Sequence, residues 1–181
     1  MLCAVLGHSF VLRLASAYGS GANLDIVARK MRVDSAVRGV LLLGKSGDVI
    51  VPQSAIPTRV SSVKPDIVVI DNGSNDLANG VSPLRVACAL IDTANDLIKI
   101  HGVSRVVICS ALYRQRAKIP IEDYNKNVNI FNNVLRNFCE VESKIRYHTH
   151  RGFWTVPISS WSRDGIHPNT KKGSRMYIKS I

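Results

Sequence analysis

Short apolar runs recur along this chain at intervals that leave room for a helix between them, and that alternation constrains the fold more than any other feature. Leu2 to Leu6, Val37 to Leu43, Ile67 to Ile70, Val106 to Cys109 and Ile145 to His148 are short runs that suit strands, most of them buried, with the last the weakest. Ile67-Val68-Val69-Ile70 is the clearest central strand of the five. Helical spacing fills the gaps. Phe10, Val11, Leu14, Ala15 and Tyr18 form one stripe, with Gly19 placed to end it, and a short helix fits from Pro57 to Val63. A long helix opens with Ser82 as N-cap and Pro83 at its first position, shows Ala87, Leu90, Ile91, Ala94, Leu97 and Ile98 on one face, and stops at Gly102. Tyr124, Val128, Phe131, Leu135 and Phe138 stripe another, and a last helix is expected from Asn169 or Thr170 onward. Strands joined through helices pair in parallel by right-handed crossovers. The expected architecture is therefore an α/β sandwich of about five mostly parallel strands covered on both faces. The 181 residues hold no repeat, low-complexity segment or linker, so one domain over residues 1–181 is the reading.

Composition narrows the class. Hydrophobic residues at 46% and charged residues at 20% argue against disorder. No apolar run approaches the roughly 18 residues that would span a bilayer. Met1-Leu2-Cys3-Ala4-Val5-Leu6 has no basic n-region and meets Gly7 too soon for a signal peptide, so a cytoplasmic or nuclear location is expected where Met1 is the true start. Cys3, Cys88, Cys109 and Cys139 lie far apart, with no C-x-x-C pair and no His at metal-finger spacing. They are read as buried small hydrophobes in a reducing compartment, and neither a metal nor a cofactor is expected. The net charge of +11 is unevenly spread. Met1 to Ile98 holds 9 basic and 8 acidic residues, whereas Lys99 to Ile181 holds 15 basic and 5 acidic ones. Such an excess would steer an anionic partner, nucleic acid or an acidic substrate, or would simply keep a basic surface soluble.

In parallel sheets, ligands bind at the carboxyl ends of the strands, so the polar residues that follow each strand carry the functional question. They are Gly7-His8-Ser9-Phe10, Gly44-Lys45-Ser46-Gly47-Asp48, Asp71-Asn72-Gly73-Ser74-Asn75-Asp76 and, near the C-terminus, Asp164-Gly165-Ile166-His167-Pro168-Asn169. A serine at a strand-to-helix turn is exposed and sits at the positive end of a helix. It needs a base, and a histidine serves when its other nitrogen is held; His167 with Asp164 three residues before it meets both needs. The developing oxyanion needs donors, which a Gly47 N–H and the Asn75 amide can supply. Taken singly, Ser9 reads as an N-cap, Asn75-Asp76 as an Asx-type loop closure and His167-Pro168 as a turn. Four such segments at successive strand ends favour a shared site.

These blocks, in this order from Leu6 to Pro168, resemble those of the SGNH (GDSL-type) hydrolase superfamily. The resemblance implies a flavodoxin-like three-layer α/β/α fold and serine esterase or lipase chemistry. It implies Ser9 as nucleophile, Gly47, Asn75 and the Ser9 backbone N–H as oxyanion donors, His167 as base and Asp164 as its orienter. Gly44 remains open as an alternative to Gly47. One block departs from the family pattern: His8 stands where an aspartate usually precedes the serine.

Asp76 is read as structural, and His101, His148 and His150 as surface or loop residues. Arg114 and Arg116 are read as solvated, with a place along a substrate cleft as the alternative. The expected function is hydrolysis of a carboxylic ester, of short acyl chain because no long apolar lid segment is visible, with a small-molecule, glycan or lipid ester as substrate. The competing expectation is a catalytically weak SGNH-like module that binds nucleic acid through its basic C-terminal half, in keeping with a resemblance to domains encoded by some animal retroelements.

Overall fold

The computed structural model describes residues 1–18, 37, 39–153, 161–169 and 172–180; Gly19 and Thr170, expected at helix ends, lie outside them. Five strands, β1 (Leu2–Gly7), β2 (Gly39–Gly44), β3 (Ile67–Asp71), β4 (Arg105–Cys109) and β5 (Ile145–His148), form one sheet in the order β2-β1-β3-β4-β5. Every pairing in it is parallel. The described helices are α1 (Ser9–Tyr18), α2 (Ile56–Val63), α3 (Ser74–Ala78), α4 (Pro83–Lys99), α5 (Ile121–Val141) and α6 (Gly173–Ser180).

The strands are apolar at successive positions because both faces of the sheet are covered. Ala4, Leu6, Val68, Ile70, Val106 and Ile108 point to one side, where α2, α4 and α5 supply Val60, Leu90, Tyr124 and Phe131. Cys3, Val5, Val40, Leu42, Val69 and Cys109 point to the other, against Phe10, Val11 and Leu14 of α1 and Tyr177 and Ile178 of α6. The chain is thus a three-layer α/β/α sandwich with the strand order of doubly wound folds. In that order the direction in which the chain adds strands reverses between β1 and β3, and the crevice beyond their carboxyl ends is where such folds bind ligands.

Several element ends differ from the sequence expectation by a residue or two, for local reasons. Gly7 pairs in register with both Gly44 and Asp71, which carries β1, β2 and β3 one residue further than their apolar runs. The second strand opens at Gly39 rather than Val37, and α1 opens at Ser9 rather than Phe10. Ser82 occupies the N-cap position of α4, yet its side chain makes no capping hydrogen bond, and Pro83 starts the helix. Asn169 does not begin α6. Its Oδ1 instead accepts from the Lys172 and Gly173 N–H groups at 2.8 and 3.1 Å, and so caps the approach to it. Cys88 is exposed, not buried, because it lies on the side of α4 opposite Ala87 and Leu90; Cys3, Cys109 and Cys139 are buried.

The short helix α3 stands where the sequence points to a loop closure at Asn75-Asp76. It forms because Leu77 is buried and the buried Asp76 carboxylate accepts the Ile50 and Val51 N–H groups at 2.9 to 3.1 Å, which ties α3 to the chain beyond β2. Gly44 serves the same corner. A Cβ there would lie 2.0 Å from the Leu12 nitrogen, so only glycine lets α1 press against the end of β2.

Candidate active site

Ser9 is the first residue of α1, immediately past β1, so its N–H is one of the unpaired donors at a helix start. Its Oγ lies 2.6 Å from His167 Nε2, across 158 residues of sequence. The other ring nitrogen, Nδ1, is 2.8 Å from Asp164 Oδ2. The second Asp164 oxygen accepts the Ile166 and His167 N–H groups, both at 2.9 Å. Burial alone would raise the Asp164 pKa, but these backbone bonds and the His167 ring outweigh it and hold the carboxyl well below the usual carboxylate range. An ionised carboxylate can only accept, so Nδ1 carries the proton and Nε2 faces Ser9 as a bare acceptor. Burial lowers the His167 pKa below its ordinary value of 6.5, and the Asp164 bond only partly offsets that. The imidazole is therefore neutral at pH 7.

Gly47 and Asn75 stand at the same rim. Gly47 has φ +68°, a left-handed conformation that suits glycine, and a Cβ there would meet nothing within 4 Å. It lines the cleft beside Ser9, whereas Gly44 is packed against α1; of the two glycines, only Gly47 reaches the site. The Asn75 amide is clamped from both ends. Its Oδ1 accepts from Arg114 Nη2 at 3.0 Å, and its Nδ2 donates to the Asp48 carbonyl at 3.0 Å. A guanidinium can only donate and a carbonyl can only accept, so these two partners fix which end is nitrogen. One amide proton is left over on the side chain that lines the cleft.

The cleft has a volume of about 480 Å³, in the size range of small-molecule sites. Ser9, Gly47, Asn75 and His167 lie along it, with Arg114, Arg116 and Lys118 from the segment after β4. That segment is pinned to both sides of the cleft: Gln115 N–H donates to the Gly165 carbonyl at 2.8 Å and Lys118 N–H to the Ala78 carbonyl at 3.2 Å.

Residues 5–171 match the profile of the GDSL-like lipase/acylhydrolase family. The chain belongs to this family. No curated protein matches it by sequence. Among solved structures it resembles TesA, with 19% identity, a TM-score of 0.70, and coverage of 99% of this chain and 94% of that one. A GDSL-like lipase from Bacteroides thetaiotaomicron is similar at 18% identity and TM-score 0.71, over 97% of this chain and 83% of that one. The acetylxylan esterase Axe2 from Geobacillus stearothermophilus is similar at 14% and 0.67, over 98% and 90%. At these identities the structural likeness speaks for the fold.

In this GDSL-like chain, His8 is not a second base. It is 1% exposed, and burial, against the pull of the Asp71 carboxylate, lowers its pKa to about 4, so it is neutral. Its Nε2 lies 2.8 Å from Ser74 Oγ, and that oxygen accepts from Arg114 Nη2 at 2.8 Å. The Ser74 hydroxyl is then free to donate to His8 Nε2, which puts the His8 proton on Nδ1, 3.4 Å from Ser9 Oγ. A donor at that long distance leaves the Ser9 proton to His167.

Two sequence expectations are corrected here. Arg114 is not solvated: it is 6% exposed, with its guanidinium 5.6 Å from the centre of the Tyr124 ring and its Nη2 shared between Ser74 and Asn75. Arg116, by contrast, is exposed, and both arginines line the cleft. His150 lies in the loop after β5, one of its two expected placements, but not on the surface: it is fully buried beneath α6, with Nδ1 2.9 Å from Ser180 Oγ. His148 and His101 are partly exposed. The role of Arg114 escaped the sequence because burial of a loop arginine depends on Tyr124 and Asn75, distant in sequence. Its signal was its place just beyond a strand end.

Proposed function

We propose that this protein is a serine esterase that hydrolyses carboxylic esters of short acyl groups through a covalent acyl-enzyme. The observation that carries the reading is the continuous chain from Ser9 Oγ to His167 to Asp164, at 2.6 and 2.8 Å. As Ser9 Oγ bonds to the ester carbonyl carbon, its proton passes to His167 Nε2 and the carbonyl π pair moves onto oxygen. The Ser9 N–H, the Gly47 N–H and the spare Asn75 proton stabilise that oxyanion. When it collapses, the carbon–oxygen bond to the alcohol breaks, and the leaving alkoxide takes the proton from Nε2. Water, deprotonated by the same nitrogen, then repeats the sequence on the acyl-enzyme and frees the acid and Ser9. Asp164 holds the ring and balances its transient charge.

The lining supports a short acyl group. Among the described residues the apolar side chains on the cleft are Ala78, Ala117 and Ile166, a small surface that suits a short acyl group better than a long hydrocarbon tail. Two of the similar structures are named as an acetylxylan esterase and an acetyl esterase, which supports the same size class.

A fluorophosphonate probe, which forms a bond only with an activated serine, tests the reading. Mass spectrometry is expected to find the adduct on Ser9, and the absence of any adduct, or one on another serine, overturns it. The pH profile adds an independent check. His167 acts only when neutral, so activity is lost as pH falls through its folded pKa. Because burial places that value below 6.5, the acid limb of kcat/KM is expected to have its midpoint below 6.5. A midpoint above 6.5 contradicts the assigned base.

A further inference from the structure

Among the described residues, the cleft wall beyond Ser9 carries positive charge and no carboxylate lines it. Arg114, Arg116 and Lys118 line the cleft, and none of the described aspartates or glutamates does. Among the described residues none of the three forms an ion pair, whereas Arg13, Lys45 and Arg59 are each within 4.0 Å of a carboxylate. Arg114 is the telling member. It is 6% exposed, its Nε is buried without a hydrogen-bond partner, and buried charges ordinarily have counter-charges. Ser74, Asn75 and Tyr124 solvate the guanidinium, and the buried Asp71 carboxylate interacts with it through space without forming a contact pair. The two exposed cations are anchored near their backbones. The Arg116 Cγ packs beside Gly165, 3.2 Å from where a Cβ on that residue would lie, and the Lys118 N–H donates to the Ala78 carbonyl.

We propose that the substrate is an ester that carries an anionic group, carboxylate or phosphate, which sits against Arg116 and Lys118 while its carbonyl reaches Ser9. The inference rests on the esterase reading and adds a substrate class to it. Arg114, whose Nη2 is already engaged, contributes its field and no direct contact. The wall also gives part of the chain's uneven charge a place: all three residues belong to the basic half, yet they gather at the mouth of one site instead of spreading over the surface. Low dielectric inside a cleft strengthens such pairing relative to open water.

Four phenyl acetates of the same leaving-group framework test it: 4-acetoxybenzoate, 4-acetoxyphenyl phosphate, neutral 4-acetoxybenzamide and a trimethylammonium analogue. The wild type is expected to favour the anions over the amide by about tenfold in kcat/KM, ~1.4 kcal/mol, and to disfavour the cation, with the preference shrinking as salt rises. Which anion is preferred distinguishes carboxylate from phosphate. In the Arg116→Gln/Lys118→Gln double variant the anion-to-amide ratio is expected to fall towards one. Equal rates for anion and amide in the wild type overturn the proposal, as does a preference that survives the double substitution. Calorimetric binding of 4-hydroxybenzoate and phenyl phosphate to the same two proteins reads the anion site without turnover. Failure of every ester to react would thus sink the esterase reading alone, and loss of anion binding in the double variant would still support the charged wall.

Discussion

Ser9→Ala is expected to lower kcat/KM for 4-nitrophenyl acetate by about 10³-fold or more while leaving the melting temperature within a few degrees of wild type. The size follows from the part the hydroxyl plays. Without it no covalent bond forms to the acyl carbon, and what remains is the capacity of Gly47 and Asn75 to polarise a carbonyl that water attacks slowly. The stability half of the expectation follows from its contacts. Ser9 Oγ is hydrogen-bonded to His167 and, weakly, to His8, and α1 is anchored by Phe10, Val11 and Leu14 rather than by Ser9. A variant that is slow and folded isolates the chemistry. Equal rates in the two proteins would remove the acyl-enzyme outright, and a matching loss of melting temperature would shift the cause to the fold.

The same contacts explain why the departure at His8 is compatible with a formed site. A neutral, buried imidazole between Ser74 and Ser9 fills its place without adding a charge beside the proposed nucleophile. Arg114 donates to the Ser74 hydroxyl beside His8 and also to Asn75 Oδ1.

Much of this was legible in the chain, and the boundary of legibility has a physical cause. Strands such as Ile67–Asp71 announce themselves because burial on both faces demands unbroken apolar runs. The segments bearing Ser9, Gly47, Asn75 and His167 were readable because parallel topology sends every strand end to one rim. What stayed hidden depends on contacts between residues remote in sequence. Arg114 is buried because Tyr124 lies beneath it and Asn75 and Ser74 accept its protons. His150 is buried because α6 closes over it. The helix α3 exists because Asp76 finds two N–H groups beyond β2. None of these partners follows from periodicity, since polar side chains satisfy one another across the fold while apolar ones only need to face inward.

Asn75→Ala is expected to lower kcat for 4-nitrophenyl acetate by about 10²- to 10³-fold with little change in KM, the usual cost of losing one oxyanion donor. The donor matters only as charge develops on oxygen, so ground-state binding is spared. Arg114→Met keeps a long apolar stem against Tyr124 but frees Asn75 Oδ1, and it is expected to lower kcat by about tenfold, the worth of one charge-assisted hydrogen bond. Arg114 acts here as a positioning residue, and the double variant reads that directly. Once Asn75 is gone there is no amide left to orient, so adding Arg114→Met to Asn75→Ala is expected to cost nothing further in kcat. Multiplying losses would instead mean that the buried guanidinium acts on the reacting atoms independently of the amide it holds.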